Sequence, residues 1–228
     1  MSRIAKMKKR IEIRKKMGKP VFFTLTCCNK KLTGTANKYN YKANMHKLIF
    51  TGGRFYNVKY QASIMTDCNF RGAKFIGVDF YNCNMRGVLF KEAVFEDVVF
   101  YNCNLKNTEF RGANFSNVVF ICTNTEVAQN LDVNNSGITV LRTYKKLDMP
   151  DKLKYSMLNL SENKSIFDAK VLHVSKGKLN YWVLNIIHER YGIEGLNSLV
   201  QRLQKKEHWN NLYTVHSYLE LLENTLKR

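Results

Sequence analysis

Lysine and arginine are the side chains whose spacing here suits a definite chemistry, the binding of phosphate. Lys6, Lys8, Lys9, Arg10, Arg14, Lys15 and Lys16 crowd the segment 2–17. Ile4, Met7 and Ile11 fall on one face of the helix this segment would form, and Gly18 and Pro20 would end it. A basic amphipathic helix suits nucleic-acid phosphates or an anionic membrane surface. Farther along, Arg71, Lys91 and Arg111 recur every 20 residues, and Arg86 and Lys106 share that interval. If the chain folds with a 20-residue period, these become two basic columns. Their mutual repulsion then calls for a bound anion or for carboxylates such as Glu92, Glu96, Asp97 and Glu109.

Catalytic constellations are missing from the pattern. His46, His173, His188, His208 and His216 are scattered, with no nucleophile beside them and no metal-ligand spacing. Neither GxxxxGK[ST] nor GxSxG occurs. Cys27 and Cys28 are adjacent, a poor arrangement for a metal, and there is no CxxC. The sequence implies a non-enzyme with no cofactor and no metal.

Charge is unevenly distributed. Residues 1–49 carry 14 Lys or Arg against Glu12 alone, whereas residues 50–123 carry 8 against 6 and residues 124–228 carry 15 against 11. The middle of the chain is nearly neutral and the front strongly basic. No run approaches the roughly 20 apolar residues of a membrane span, and the front lacks the apolar core of a secretory signal. The expected compartment is the cytoplasm, with reduced cysteines.

The element that must position the basic columns shows itself in a comb of large apolar residues at every fifth place: Phe50, Phe55, Tyr60, Met65, Phe70, Phe75, Phe80, Met85, Phe90, Phe95, Phe100, Leu105, Phe110, Phe115 and Phe120. Neither the 3.6-residue helix nor the 2-residue strand has this period. Two residues before most teeth sits a smaller one, such as Val58, Cys68, Ala73, Val78, Cys83, Val88, Ala93, Val98, Cys103, Ala113 or Val118. Every fourth unit repeats the same choice, as in Val58, Val78, Val98 and Val118 before Tyr60, Phe80, Phe100 and Phe120. Four units of five therefore make one lap, and like residues stack in ladders inside a four-sided coil. Cys68, Cys83 and Cys103 hold small inward places and read as core residues.

The units Cys68-Asn69-Phe70, Cys83-Asn84-Met85, Cys103-Asn104-Leu105 and Ala113-Asn114-Phe115 resemble the A(D/N)LXX signature of pentapeptide-repeat proteins over about residues 43–123. The resemblance implies a mainly β fold, a right-handed quadrilateral β-helix. Members of that family include proteins that protect DNA gyrase and related topoisomerases from quinolones or peptide toxins, with an acidic rod taken to imitate duplex DNA. This chain departs from them in charge.

Around the coil the sequence divides as follows. Residues 1–20 form a basic amphipathic arm, and 21–42 a strand-like cap in which Val21, Phe23, Leu25 and Cys27 alternate. Residues 124–177 are expected to lose the register, with a strand at Ile138 to Leu141 and a return to the coil near Phe167 to Val171. From Lys178 the period turns helical. Leu179, Trp182, Val183, Ile186 and Ile187 form one stripe, Leu196, Leu199, Val200 and Leu203 a second, and Leu212, Val215, Leu219, Leu222 and Leu226 a third. This C-terminal α-helical bundle, residues 178–228, is expected to cap the coil's far end or to pair two chains as a homodimer.

The functional expectation is a non-catalytic binding or scaffold protein that docks on a polyanion through its arm. Nucleic acid or a ribonucleoprotein is the favoured partner, RNA slightly ahead of DNA, and an anionic membrane surface ranks behind. The alternative is a topoisomerase-interacting protection protein linked to antibiotic resistance.

Overall fold

The computed structural model describes residues 12, 13, 16, 23, 24, 31–206 and 208–226. Its first part is a parallel β-solenoid. One wall is a continuous ladder of β2 (Gly34–Tyr41), β4 (Arg54–Gln61), β5 (Lys74–Tyr81), β6 (Val94–Glu96) with β7 (Val99–Tyr101), β8 (Asn114–Ser116) with β9 (Val118–Ile121), and β10 (Ile138–Leu141). Each rung pairs with the residue 20 places on: Phe55 with Phe75, Phe75 with Phe95, Phe95 with Phe115. The other walls carry single bridges at the same interval, Asn44 to Ile64 to Asn84 to Asn104 and Asn69 to Leu89 to Glu109 to Gln129.

A lap of 20 residues needs four bends, and the backbone supplies one every fifth residue. From Asn37 to Cys122 every fifth residue has positive φ without a break. Apart from Lys42, Lys47, Ala62, Glu92 and Cys122, all of these are Asn, Asp or Gly, the residues that enter the left-handed region most cheaply.

Between corners the comb points inward. All its members are buried except Phe115, which is half-buried. Their rings stack along the axis in three columns: Phe50–Phe70–Phe90–Phe110, Phe55–Phe75–Phe95–Phe115 and Tyr60–Phe80–Phe100–Phe120, with successive centroids 4.8–5.7 Å apart. That spacing is the separation of paired strands, so the backbone ladder sets the ring stacking. Cys68, Cys83 and Cys103 are buried among these columns.

The ladder outlasts the aromatic comb at both ends. Upstream, β1 (Phe23–Thr24) pairs in parallel with β3 (Ala43–Asn44). Downstream the register expected to fail at 124 persists, since Glu109 pairs with Gln129 and Val118 with Ile138. Backbone hydrogen bonds carry the lap there after the large apolar teeth have gone. The coil is not rejoined near Phe167. That segment is a short helix, α2 (Lys164–Phe167), which follows α1 (Asp151–Asn159).

A hairpin, β11 (His173–Ser175) with β12 (Lys178–Leu179), comes next, so Leu179 ends a strand and the long helix α3 starts later, at Tyr181–Gln204. Gly192 breaks α3 with φ 64°, and α4 is Val215–Leu226. Among the described residues no helix is long and apolar enough to cross a membrane.

The helices lie along a side of the coil, where capping of its end had been expected. Their core of Leu153, Met157, Leu184, Ile187, Leu196, Leu199, Tyr218 and Leu222 closes on Tyr81, Val99 and Ile121 of the solenoid wall. Side-on docking follows from Val98-Val99-Phe100 and Val118-Val119-Phe120-Ile121, which are apolar on both faces of the strand. Such strands are covered on both sides. The stripes that had suggested pairing of two chains are spent inside one chain: Leu196, Leu199, Val200, Leu203, Leu212, Val215, Leu219 and Leu222 are all buried.

Candidate functional site

Most of the basic arm, namely Lys6, Lys8, Lys9, Arg10, Arg14 and Lys15, lies outside the described residues. Lys16 is helical and exposed.

Both expected basic columns stand on the solenoid. The Gly52 N–H donates to the Arg71 carbonyl, Gly72 to Lys91 and Glu92 to Arg111, stacking those three corners one rung apart. Asp67 donates to Arg86 and Gly87 to Lys106 in the same way. The two columns differ in their neutralisation. Arg71 makes a two-pronged pair with Glu92, at 2.7 and 3.2 Å, and Arg111 lies 3.8 Å from Glu109. Asn130 and the Arg111 N–H also donate to the Glu109 carboxylate, at 2.7 and 2.9 Å. Among the described residues no carboxylate lies within 4.0 Å of exposed Arg86 or Lys106. Lys91, half-buried between Arg71 and Arg111, has no carboxylate within 4.0 Å either, so the column of Arg86 and Lys106 stands apart as the one in which every cation is exposed and without such a partner among the described residues.

Of the other carboxylates expected to offset the columns, Asp97 is engaged elsewhere, in a polar seam between the coil and the helices that the sequence did not suggest. On successive rungs of one wall stand Tyr39, Lys59, Asp79, Val99 and Val119. Lys59 and Asp79 are fully buried under the helical region. The Lys59 ammonium donates to the Lys170 carbonyl at 3.5 Å and sits 4.0 Å from the centre of the Tyr81 ring. Asp79 accepts from the Val215 N–H at 3.0 Å, an anion at the start of α4 where the helix dipole favours one. Burial pulls the Lys59 ammonium down to about 8, against the opposing charge of Asp79. Burial likewise pushes the Asp79 carboxyl up to about 6, against Lys59, the Val215 N–H and His216.

Alongside them, His216 Nδ1 is 3.0 Å from Asp97 Oδ2 and its Nε2 is 3.3 Å from Glu220 Oε1. The Tyr56 hydroxyl donates to the same Glu220 oxygen at 2.6 Å. Burial alone would lower the His216 pKa, but the Asp97 hydrogen bond and the charges of Glu220, Asp97 and Asp79 outweigh it and raise it. Arg190 reaches Asp97 Oδ1 at 3.3 Å. Asn57 donates to the Asn211 carbonyl at 2.7 Å and accepts from Thr214 at 2.9 Å. Chemically this seam fixes the position of α4 on the wall. A charged outward column flanked by two valines on later rungs was the sequence signal that one wall is covered.

His173 is buried, with Nε2 2.8 Å from the Met157 carbonyl, and burial lowers its pKa. Among the described residues no cluster of three or more His, Cys, Asp or Glu side chains is arranged to hold a metal ion.

Comparison with known proteins agrees with this geometry. Residues 43–120 match the family described as the pentapeptide repeat region. Similar solved structures include a pentapeptide repeat protein of the Arabidopsis thaliana thylakoid lumen, 14% identical over 43% of this chain and 70% of that one, with a TM-score of 0.31. They also include QnrB1, a plasmid-mediated fluoroquinolone resistance protein. Its trypsin-treated form is 11% identical over 53% of this chain and 92% of that one, TM-score 0.24, and the full-length form is 10% identical over 52% and 89%, TM-score 0.18. No curated protein matches the chain in sequence.

Proposed function

We propose that this chain, a pentapeptide-repeat protein by its residues 43–120, is a non-catalytic binding protein that docks on a polyanion. Nucleic acid or a ribonucleoprotein is the partner of choice, RNA before DNA. The observation that carries the reading is the placement of charge: 14 Lys or Arg against Glu12 in residues 1–49, beside a coil that is almost neutral. The exposed pair Arg86 and Lys106, without a carboxylate partner among the described residues, adds a second contact surface on the rigid coil. Phosphate-dominated attraction releases counterions, so affinity falls linearly with salt on a logarithmic scale, by about 0.9 per duplex phosphate contact and about 0.7 per single-strand contact.

Titrating a labelled nucleic acid with the full chain at several salt concentrations tests this. Removal of residues 1–19 should take away most of the salt slope, and unchanged binding after that deletion would reject the arm's role. Pull-down from nuclease-treated and untreated lysates separates RNA, DNA and protein partners.

The alternative is a protection protein acting on a topoisomerase, supported by membership of the repeat family. It asks for acidic residues gathered on one open face. Asp79 is instead buried, Asp97 is engaged by Arg190 and His216, and Glu92 and Glu109 are spent on Arg71 and Arg111. A gyrase supercoiling assay with and without a quinolone separates the two readings.

A further inference from the structure

We infer that the loop after the last rung of the coil is a stacking site for single-stranded nucleic acid, with Tyr144 as the platform and Arg142, Lys145 and Lys146 as its phosphate contacts. This rests on the polyanion reading above and gives it a place on the described part of the chain. Residues 142–146 read Arg-Thr-Tyr-Lys-Lys and are all exposed. Amid these cations the Tyr144 ring is 48% exposed yet held in place. It stacks on Tyr181 with planes 10° apart and centroids at 5.9 Å, and meets Trp182 edge-on at 4.9 Å. Trp182 in turn packs edge-on against Tyr101 of the solenoid wall, at 6.4 Å. Asn185 ties the loop backbone to α3, donating to the Lys145 carbonyl at 3.1 Å and to the Tyr181 carbonyl at 2.7 Å.

A half-exposed ring already packed on Tyr181 and Trp182 costs little further entropy when a base stacks on it. Arg142 has only a loose pair with Glu126, at 3.6 Å with both side chains about four-fifths exposed. Lys145 and Lys146 have no carboxylate within 4.0 Å among the described residues. Free cations beside a presented ring are the two components that bind single strands without regard to sequence. A duplex hides its base faces, and an acidic peptide would use the cations but leave the ring idle, so the combination selects an unpaired strand.

The test is fluorescence anisotropy of a labelled oligouridylate of about 10 nucleotides, and of a duplex with the same number of phosphates, titrated with the full chain. Tyr144→Leu should weaken single-strand binding about 5- to 100-fold with the salt slope unchanged, while Tyr144→Phe should bind as the unaltered chain does. The double variant K145Q/K146Q should reduce the salt slope by about 1.4. This pair carries the test if Tyr144→Leu loses its fold by circular dichroism. If the oligonucleotide binds but neither Tyr144→Leu nor K145Q/K146Q changes that binding, the stacking site is overturned and the arm reading survives. Duplex binding tighter than single-strand binding also overturns the site alone. No binding of either probe by the unaltered chain overturns both.

Discussion

The imidazole of His216 occupies the space that a methyl group on Gly77 would need. A Cβ built on Gly77 would fall within 2.7 Å of His216 Cβ and closer still to the ring carbons. Gly77 is one of the positive-φ corners, at 59°, and so is Gly72, at 62°, where an added Cβ would meet nothing within 4 Å. Both positions therefore carry the same backbone penalty for alanine, about 1–2 kcal/mol. Only Gly77→Ala also pushes α4 off the wall and strains the 3.0 Å His216–Asp97 contact. Gly72→Ala should lose only the backbone amount in urea denaturation. Gly77→Ala should lose about 1–3 kcal/mol more and expose the helical region to limited proteolysis. Equal losses would mean that the seam does not hold the helices.

Lys59 and Asp79, buried neighbours on successive rungs whose charged groups interact without an ion pair within 4.0 Å, invite a double-mutant cycle. Taking one charge away leaves the other buried without the opposite charge nearby, a loss below the roughly 3–5 kcal/mol of breaking a buried ion pair in contact. Asp79→Val alone should be that damaging, and Lys59→Val somewhat less so, because the Val215 N–H still serves Asp79. The double replacement Lys59→Val with Asp79→Val extends the column already formed by Val99 and Val119 and should cost less than the two single losses summed, with about 1–3 kcal/mol remaining for the Val215 N–H left without its acceptor. Denaturant midpoints of the four proteins measure the coupling. A double variant as weak as the sum of the single ones would show that the pair contributes through its separate hydrogen bonds.

How much of this was legible beforehand depends on which force set each feature. The comb from Phe50 to Phe120 had to be buried, because nothing else in a coil with a five-residue period can hide large apolar residues, and the 20-residue lap followed from the recurrence of Val58, Val78, Val98 and Val118. The corners were legible too, in Asn57, Asp67, Gly72, Asn82, Gly87 and Asn102, once left-handed backbone is seen as the requirement. Helices were readable as stripes, but the stripes did not say what they would meet. Leu199 is apolar whether it faces another chain or the coil. The place of docking was written on the coil, in the outward Val99, Val119 and Ile121. Continuation of the ladder to Leu141 left little side-chain trace, since it depends on backbone pairing. Arg71 and Arg86 look alike in sequence, and only the fold brings Glu92 to the first.

Stability should depend on pH through His216. Its folded pKa is raised, so its contribution is full below the unfolded value near 6.5 and is lost as pH rises through the higher folded value. Asp79 has a raised value as well, about 6, and its share is lost between roughly pH 4 and 6. His173 has the opposite sign, because burial lowers its pKa, and it favours folding as pH climbs toward 6.5. Lys59, lowered to about 8, also favours folding as pH rises through that value. Urea midpoints of the unaltered chain and of His216→Asn at pH 6.5 and 8.5 isolate His216, because His173 and Lys59 act in both proteins. The substitution should cost more stability at pH 6.5 than at pH 8.5, and an equal cost at both would place the titrating group elsewhere.

The aromatic columns predict a graded response. Phe75 stacks on Phe55 at 4.8 Å and on Phe95 at 5.1 Å and is fully buried. Phe75→Ala should cost about 3–5 kcal/mol. Phe115 belongs to the same column but is half-buried near its end, stacked on Phe95 alone within that column. Phe115→Ala should cost distinctly less, in proportion to its smaller buried area, and equal costs in denaturant unfolding would mean that the column does not fail from its end.

Charge reversal separates the two basic columns. Arg71 spends its guanidinium on Glu92 at 2.7 Å, whereas Arg86 and Lys106 have no such partner among the described residues. An outside phosphate at Arg71 must compete with a carboxylate already in place, and at Arg86 it competes only with water. R86E/K106E should therefore weaken nucleic-acid binding and reduce the salt slope by about 0.7–0.9 for each phosphate that is no longer neutralised. The substitution Arg71→Glu should do less to the slope, and its effect should fall mainly on stability, by repulsion from Glu92. Filter binding at four or more salt concentrations, with the arm intact, gives both slopes. An equal drop in slope from either substitution would show that the Glu92 pair opens freely in solution, and an unchanged slope in R86E/K106E would remove this column from the groups that meet phosphate.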